Sequence, residues 1–205
     1  MVAPLRLMIF DRTCLDGRPV GLSHVWRLGA HLYRALDRLD GVYGAASWPE
    51  ALAWLATFGS PALLSEIQFW GHGKWGQARI GQQVLDAGSL EPGACEPLLC
   101  AVRNRLTSRA ALWWFRTCET LGAAAGHAFA RAWTAFFDCR VAGHTFIIGF
   151  HQSGLHSLSP GEEPTWPLDE GIREGTPEAP VEARWSRPWA PNTITCLHGR
   201  VPEGY

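Results

Sequence analysis

Apolar residues recur along the first 150 positions with two spacings, one typical of buried strands and the other of amphipathic helices. Continuous apolar runs predict strands at residues 5–10, 66–70, 112–115 and 141–148. Apolar positions three to four residues apart predict helices at residues 24–39, from Pro49 onward, and at residues 97–106 and 123–137. We expect Ser23 to cap the first helix, and Gly41 and Gly44 to end it. Residues 74–85, with two glycines and partial alternation, predict a small hairpin at the rim of a sheet.

This alternation of strands and helices predicts an α/β fold, with a mostly parallel sheet of about six strands and helices on both faces. The composition of the chain changes after Phe150, where Pro and Gly become frequent and no helical period remains. We therefore expect an α/β core over residues 1–150 and an ordered, extended C-terminal meander over residues 151–205 that packs on the core and forms pocket walls. Large apolar residues of the meander would be costly to leave in water, namely Trp166, Trp185, Trp189, Ile194 and Leu197.

Composition narrows the class of protein. The 205 residues suit one domain, and 47% apolar with 18% charged residues indicate a globular chain. The net charge is −1 and no block of Lys and Arg occurs, which argues against nucleic acid as a partner. No apolar run approaches the length of a membrane helix, and we expect neither a leader segment nor a membrane partner. None of the six cysteines forms a C-x-x-C pair, and a chain of 205 residues does not need disulfides. Without a leader or a membrane span, we expect a cytoplasmic location with reduced thiols, and we expect no cofactor.

Two of the predicted strands end at residues whose side chains can act in catalysis. Residues 67–71 run into His72 and Gly73, and residues 111–117 run into Cys118. If the strands are parallel neighbours, their carboxyl ends share the edge where open α/β sheets bind ligands. A Cys nucleophile needs a base to take its proton, and an imidazole at that edge supplies one. The sequence thus predicts a thiol–imidazole dyad of Cys118 and His72, with the amides of Gly73 and Cys118 as oxyanion donors.

These two motifs resemble the caspase-hemoglobinase superfamily of cysteine peptidases, in particular its bacterial caspase-like members. The family pattern is an apolar strand ending in His-Gly, followed by a second apolar strand ending in Cys. The caspase signature places its His about 50 residues upstream of the Cys, which is similar to the interval here. The resemblance covers residues 5–150 and is strongest over residues 66–149. It implies a three-layer caspase-like sandwich, with His72 as base and Cys118 as nucleophile.

The chain also departs from the best-known subfamilies. The caspase pentapeptide around the Cys is absent, and Arg116 stands where metacaspases have an Asp two residues before the Cys. In relatives that position lines the pocket for the residue before the cut. Arg116 would then favour an acidic substrate residue through a bidentate contact. The alternative is an Arg116 paired with Glu119 or Asp11.

Other candidates are weaker. His144 lies within a predicted core strand and is expected to be structural, whereas His151, Ser153 and His156 follow that strand and are candidates for the walls of the cleft, with His151 and Ser153 as substrate-binding residues. The sequence around Ser153 lacks the Gly-x-Ser-x-Gly pattern, which argues against a Ser hydrolase. A metal site from His72, Cys118, His144, His151 and His156 is an alternative without the local spacing of a zinc site.

The leading hypothesis is accordingly a cysteine endopeptidase that acts on a protein or peptide substrate, cleaving after an acidic residue if Arg116 lines the pocket. The principal alternative is a catalytically inactive caspase-like module that binds or scaffolds a partner. Such a loss of chemistry would leave the strands and core unchanged, so the sequence is compatible with both.

Overall fold

The structure is a computed structural model, and it describes residues 3–15, 21–93 and 95–205. The strands are, in chain order, β1 (Leu5–Asp11), β2 (Gly41–Ala45), β3 (Leu64–Trp70), β4 (His72–Lys74), β5 (Gln77–Ile80), β6 (Gln83–Leu85), β7 (Leu112–Arg116), β8 (Arg140–His144), β9 (His151–Gln152), β10 (Leu155–Leu158), β11 (Ile172–Gly175), β12 (Pro180–Ala183) and β13 (Ile194–Thr195). The helices are α1 (Leu22–Ala35), α2 (Trp48–Thr57), α3 (Glu96–Arg103) and α4 (Ala123–Phe137). A 3-10 turn over Ala87–Leu90 precedes α3.

Six strands form the central sheet in the order β10-β8-β7-β3-β1-β2. Every neighbouring pair is parallel except β10 with β8, which is antiparallel and forms one edge. The predicted mostly parallel sheet of about six strands is therefore confirmed. The strand β10 belongs to the segment that the sequence assigned to the C-terminal meander, so this segment contributes to the sheet itself.

Alternation along the strands gives the sheet two apolar faces. On one face, strand residues pack with α2, α3 and α4 in the largest core cluster, where the Trp113 ring lies 4.8 Å from that of Trp133 on α4. On the other face, Met8, Phe10 and Trp70 pack against α1. The prediction of helices on both faces is confirmed. Beyond α1, this second face is covered by β13 and the chain that follows it, because Ile194 packs on Trp114.

Several predicted elements differ in detail from the structure. Gly41 and Gly44 were expected only to end a helix, but they belong to β2. An added side chain at either position would collide with Leu7, Phe58 or Phe10, so these glycines let the strand lie close to its neighbours. The fourth predicted strand ends at His144 rather than at residue 148. Beyond His144 the backbone leaves β10, and Ile147 instead exchanges hydrogen bonds with residues 184 and 186.

The C-terminal meander is ordered, and its packing is only partly as predicted. Trp166 and Ile194 are buried, with 5% and 3% exposure. The expectation was wrong for Trp185, Trp189 and Leu197, which are 63%, 78% and 53% exposed. The hairpin predicted for residues 74–85 is present as part of a separate three-stranded sheet of β4, β5 and β6. Within the described residues, no helix has the length and apolar character needed to cross a membrane.

Candidate active site

Three neighbouring parallel strands deliver polar residues to one edge of the sheet. β3 lies between β1 and β7, and Trp70 of β3 is in register with Arg116 of β7. His72 and Cys118 each follow two residues later, so they leave the sheet at the same level on adjacent strands. The register that the sequence argument required is therefore present.

Close contact at Gly73 holds these two segments together. A Cβ atom at Gly73 would lie 2.6 Å from the carbonyl oxygen of Cys118 and 2.7 Å from Cβ of Thr117, and it would overlap Thr120 Oγ1. Real Cβ contacts of this length essentially do not occur, so only glycine permits the approach. Gly73 and Cys118 thus meet backbone to backbone. Their role as oxyanion donors stays a prediction.

The His72 side chain faces the opposite neighbour in this structure. Its Nε2 lies 3.0 Å from Sγ of Cys14, which follows β1, and its ring stands edge-on to Trp26 at 5.7 Å between centroids. The hydrogen bonds of the described residues do not include one between His72 and Cys118. His72 is exposed, and a cysteine follows each of the two strands that flank its own.

Cys14 is a candidate residue that the sequence analysis missed. The hydroxyl of Ser23 donates to the carbonyl oxygens of Asp11 and Cys14, and the Asp11 carboxylate accepts from the amide and hydroxyl of Thr13. Ser23 therefore stabilises the loop of Cys14 rather than capping α1, whose N-cap is Gly21. The topological rule that selected His72 and Cys118 also selects Cys14, because it follows a third parallel strand on the same edge.

Cys118 is half-buried, and burial raises the pKa of its thiol to about 11. Its Sγ lies 4.0 Å from the carbonyl oxygen of Ile148, on the loop that follows β8. The thiol is thus protonated at neutral pH in this arrangement. A thiolate forms only if a base such as His72 takes the proton.

Glu119 is a second feature that sequence reasoning missed. It is 7% exposed, has a φ of 36°, and its Oε2 has no hydrogen-bond partner among the described residues. Burial raises the pKa of this carboxyl to about 7, against the opposing effect of Lys74. When Glu119 ionises, its charge raises the pKa of the adjacent Cys118 thiol further. The site therefore contains a carboxyl group that titrates near neutral pH beside the candidate nucleophile.

Arg116 lies in the interior, with 2% exposure, and does not face an open pocket. It is bonded neither to Glu119 nor to Asp11, which the sequence analysis gave as the alternative. All five of its N–H groups are bonded within the chain, and the acceptors are Gln152 Oε1 (twice, 2.7 and 3.2 Å), Tyr33 Oη (2.7 Å), His198 O (2.9 Å) and Cys196 O (3.3 Å). A substrate carboxylate would have to displace these acceptors, so no donor of Arg116 is available for the predicted substrate contact in this structure.

The remaining sequence candidates fall in different places. Ser153 is completely buried, and its hydroxyl bonds the backbone of Arg187, so it does not line an open cleft. His151 is half-buried on β9, and its predicted contact with substrate is neither supported nor opposed by its surroundings. His156 bonds Glu170 at 2.7 Å and stacks on Trp166, away from the dyad.

His144 has the environment of a structural residue. It is fully buried on β8, its Nδ1 lies 3.1 Å from the carbonyl oxygen of Ser153, and burial lowers its pKa to about 3. The imidazole is accordingly neutral. Among the residues that the structure describes, no group of three or more His, Cys, Asp or Glu side chains is arranged to hold a metal ion, so the alternative metal site does not assemble.

Comparison with known proteins gives no relative for this chain. No family model, no curated protein and no solved structure matches it.

Proposed function

We propose that this chain is a cysteine peptidase of the caspase-like type, in which Cys118 attacks the scissile carbonyl and His72 carries the proton. The observation that carries the proposal is the close approach of Gly73 to the backbone of Cys118 at the carboxyl edge of two parallel strands. Thiol catalysis needs a general base within reach of the nucleophile, and adjacent strands at equal register bring His72 and Cys118 to the same edge of the sheet. The sheet order and the helices on both faces are compatible with a caspase-like three-layer sandwich.

The proposed reaction begins when His72 accepts the Cys118 proton and the thiolate sulfur bonds to the substrate carbonyl carbon. The oxyanion that forms is bound by the amides of Gly73 and Cys118. His72 then donates its proton to the leaving amine as the peptide bond breaks and a thioester remains. Water, deprotonated by His72, attacks the thioester, and the proton returns to the Cys118 sulfur as the acid is released.

This sequence of steps requires the His72 ring to leave Cys14 and to turn toward Cys118. The 3.0 Å contact with Cys14 therefore describes a resting state in which the base is held by a competing thiol. Loss of that competitor would free the imidazole. The thiol of Cys118, with a pKa of about 11, would then gain thiolate character from it.

Alkylation rates of the individual cysteines test the proposal. With iodoacetamide at pH 7 and site assignment by mass spectrometry, we expect Cys118 to react fastest once Cys14 is replaced in Cys14→Ala, and we expect His72→Asn to abolish this preference. Cys100→Ala is the matched control, because Cys100 is half-buried on α3 and bonds Glu96 instead of a histidine.

In parallel, turnover of a peptide library should fall by several orders of magnitude in Cys118→Ala. Peptide turnover that survives in folded Cys118→Ala would overturn the mechanism.

A binding module without turnover is the second candidate, and one observation favours it. The dyad is not assembled here, since His72 contacts Cys14 and burial keeps the Cys118 thiol protonated. Such a protein would show equal, slow alkylation of Cys118 and Cys100 in the parent chain, in Cys14→Ala and in His72→Asn, and no peptide turnover between pH 6 and 9. The same labelling experiment therefore separates the two functions.

A further inference from the structure

A groove of about 540 Å³ borders Phe146, on the loop that follows β8, and is unusual for what lines it. Three arginines and two tryptophans face it, namely Arg173, Arg184, Arg187, Trp185 and Trp189, and the buried Phe146 lies at its base. Trp185 and Trp189 are 63% and 78% exposed, whereas most indoles of this chain are enclosed in its core. Large aromatic rings left in water next to a concave surface are typical of a docking site.

The charge of the groove is positive and incompletely balanced. Arg173 pairs with Glu182 at 2.7 Å on the rim. The guanidinium groups of Arg184 and Arg187 form no ion pair or side-chain hydrogen bond with any residue that the structure describes. Both residues are exposed. A guanidinium group presents a planar fork of donors that matches a carboxylate, so this pair is complementary to acidic side chains.

Hydrogen bonds to buried groups fix the backbone of residues 184–187. The hydroxyl of the fully buried Ser153 accepts from the amide of Arg187 and donates to its carbonyl oxygen. The carbonyl oxygen of Arg184 accepts from the amide of Ile147, and the amide of Ser186 donates to the carbonyl oxygen of Ile147. The groove is thus a preformed feature, and binding there would require little ordering of its main chain.

The loop that follows β8 connects the groove to the Cys118 segment. The amide of Glu119 donates to the carbonyl oxygen of Phe146, so the loop after β8 lies between the Cys118 segment and residues 184–186. A backbone hydrogen bond holds two segments about 5 Å apart, so the two successive bonds place residues 184–186 on the order of 10 Å from the backbone of Glu119, next to Cys118. A peptide chain covers that span with about three residues.

We propose that this groove binds an acidic peptide segment with an aromatic or apolar side chain, the carboxylates contacting Arg184 and Arg187 and the apolar group packing on Trp185 and Trp189. If the proposed function is correct, the segment belongs to the protein substrate and lies a few residues from the bond that is cut. An acidic preference then comes from this groove and not from Arg116, whose donors are all occupied. Nucleic acid fits less well, since the chain has no block of basic residues and a net charge of −1.

Binding can be measured without relying on catalysis. In full-length Cys118→Ala, the fluorescence anisotropy of a labelled peptide of Glu, Gly and one Phe is followed at low and at physiological salt. We expect binding that weakens with salt, and loss of binding when Gln replaces Glu in the peptide. The charge-reversed pair Arg184→Glu with Arg187→Glu should weaken binding at least about tenfold. The matched control is Arg27→Glu with Arg34→Glu, two exposed arginines of α1 that change the net charge equally.

Trp185→Ala separates the apolar contact from the charges and should also weaken binding of the Phe-containing peptide. Equal affinity in the groove variant and the α1 control would overturn the proposal, as would tighter binding of a single-stranded oligonucleotide than of the acidic peptide at the same salt. Circular dichroism confirms that each variant is folded.

Failure of this inference is distinguishable from failure of the proposed function. In the chain with Cys118 intact, the groove variant should raise KM for acidic peptides with little change in kcat and leave neutral peptides unaffected. Turnover that depends on Cys118 without any binding in the groove removes only the present inference. Acidic peptide that binds in the groove without turnover in any variant removes only the peptidase.

Discussion

At the scale of single residues, Arg116 shows how a buried cation is accommodated without a bonded carboxylate. Its five N–H groups are shared among neutral oxygen acceptors, and its guanidinium group lies 4.5 Å from the ring centre of Trp70 and 4.3 Å from that of Trp114. Burial lowers the pKa of Arg116, which reflects the cost of placing its charge there. The acceptors and the two aromatic faces offset that cost. Because two acceptors are carbonyl oxygens of residues 196 and 198, Arg116 fastens the C-terminal segment to the sheet.

Replacement of Arg116 by Lys should therefore destabilise the fold. A Lys side chain keeps the charge but has three donors and no planar fork, so Gln152 and at least one carbonyl oxygen lose their partners. We expect Arg116→Lys to lower the free energy of unfolding by about 2–4 kcal/mol in urea denaturation. Arg34→Lys on the exposed face of α1 is the control and should change it by less than about 0.5 kcal/mol. Equal stability of the two variants would show that the hydrogen bonds of Arg116 contribute nothing.

At the scale of elements, the junction of β3 and β4 depends on Gly73 having no side chain. Gly73 lies against the carbonyl oxygen of Cys118 and the side chain of Thr117, whereas an added Cβ at Gly149, on the loop that follows β8, would meet no atom within 4 Å. Neither glycine has a positive φ. The two positions thus differ in the space available for a methyl group and not in backbone conformation.

Gly73→Ala should cost about 2 kcal/mol or more of unfolding free energy, because the new methyl group has to push β4 away from the Cys118 segment. Gly149→Ala should stay within about 1 kcal/mol of the parent chain. If the proposed function holds, Gly73→Ala should also slow alkylation of Cys118 far more than Gly149→Ala does. Thermal unfolding and the alkylation rate of Cys118 are measured for both variants. Equal stability and equal alkylation rates in Gly73→Ala and Gly149→Ala would contradict this explanation.

Elements were predictable from sequence where a single apolar period ran without interruption. The helix predicted for residues 123–137 has those bounds in the structure, and the strands that precede His72 and Cys118 are present. The strand Gly41–Ala45 was missed, because its glycines serve close packing with Leu7, Phe10 and Phe58, which no local pattern reveals. The strand from residue 141 was predicted too long, since its last residues pair with residues 184 and 186 across a long separation in sequence.

The candidate site was predictable in its main residues and not in their contacts. Topology brings His72 and Cys118 to one edge, as expected, but it brings Cys14 there too, and the rotamer that places His72 on Cys14 is a property of packing. Arg116 was expected to face substrate, yet the alternation of β7 points it into the face that the C-terminal segment covers. Long-range packing of residues 151–205 decided the outcome for Arg116, because Gln152, Cys196 and His198 supply three of its acceptors.

At the scale of the whole molecule, two buried titratable groups give opposite dependences of stability on pH. His144 has a pKa of about 3 in the folded chain, below the usual value for histidine, because burial disfavours its charge. Its contribution is present above about pH 6.5 and is lost as the pH falls toward 3. Glu119 has a folded pKa of about 7, so its contribution is present below about pH 4.5 and is lost as the pH rises through 7. Burial of His127 and Glu66 shifts their pKa values in the same two directions.

The free energy of unfolding should consequently have a broad maximum between about pH 4.5 and 6.5, where the two slopes oppose each other. Glu119→Gln removes the loss on the alkaline side, and its stability should rise from pH 3 to about 6.5 and then change little. His144→Gln removes much of the loss on the acid side, and its stability should fall steadily from about pH 4.5 to 7. Each slope should amount to a few kcal/mol over its window in urea denaturation at constant ionic strength. Glu119 binds its proton more tightly on folding, whereas His144 binds its proton less tightly. Parallel curves of stability against pH for Glu119→Gln and His144→Gln would therefore contradict the two pKa shifts.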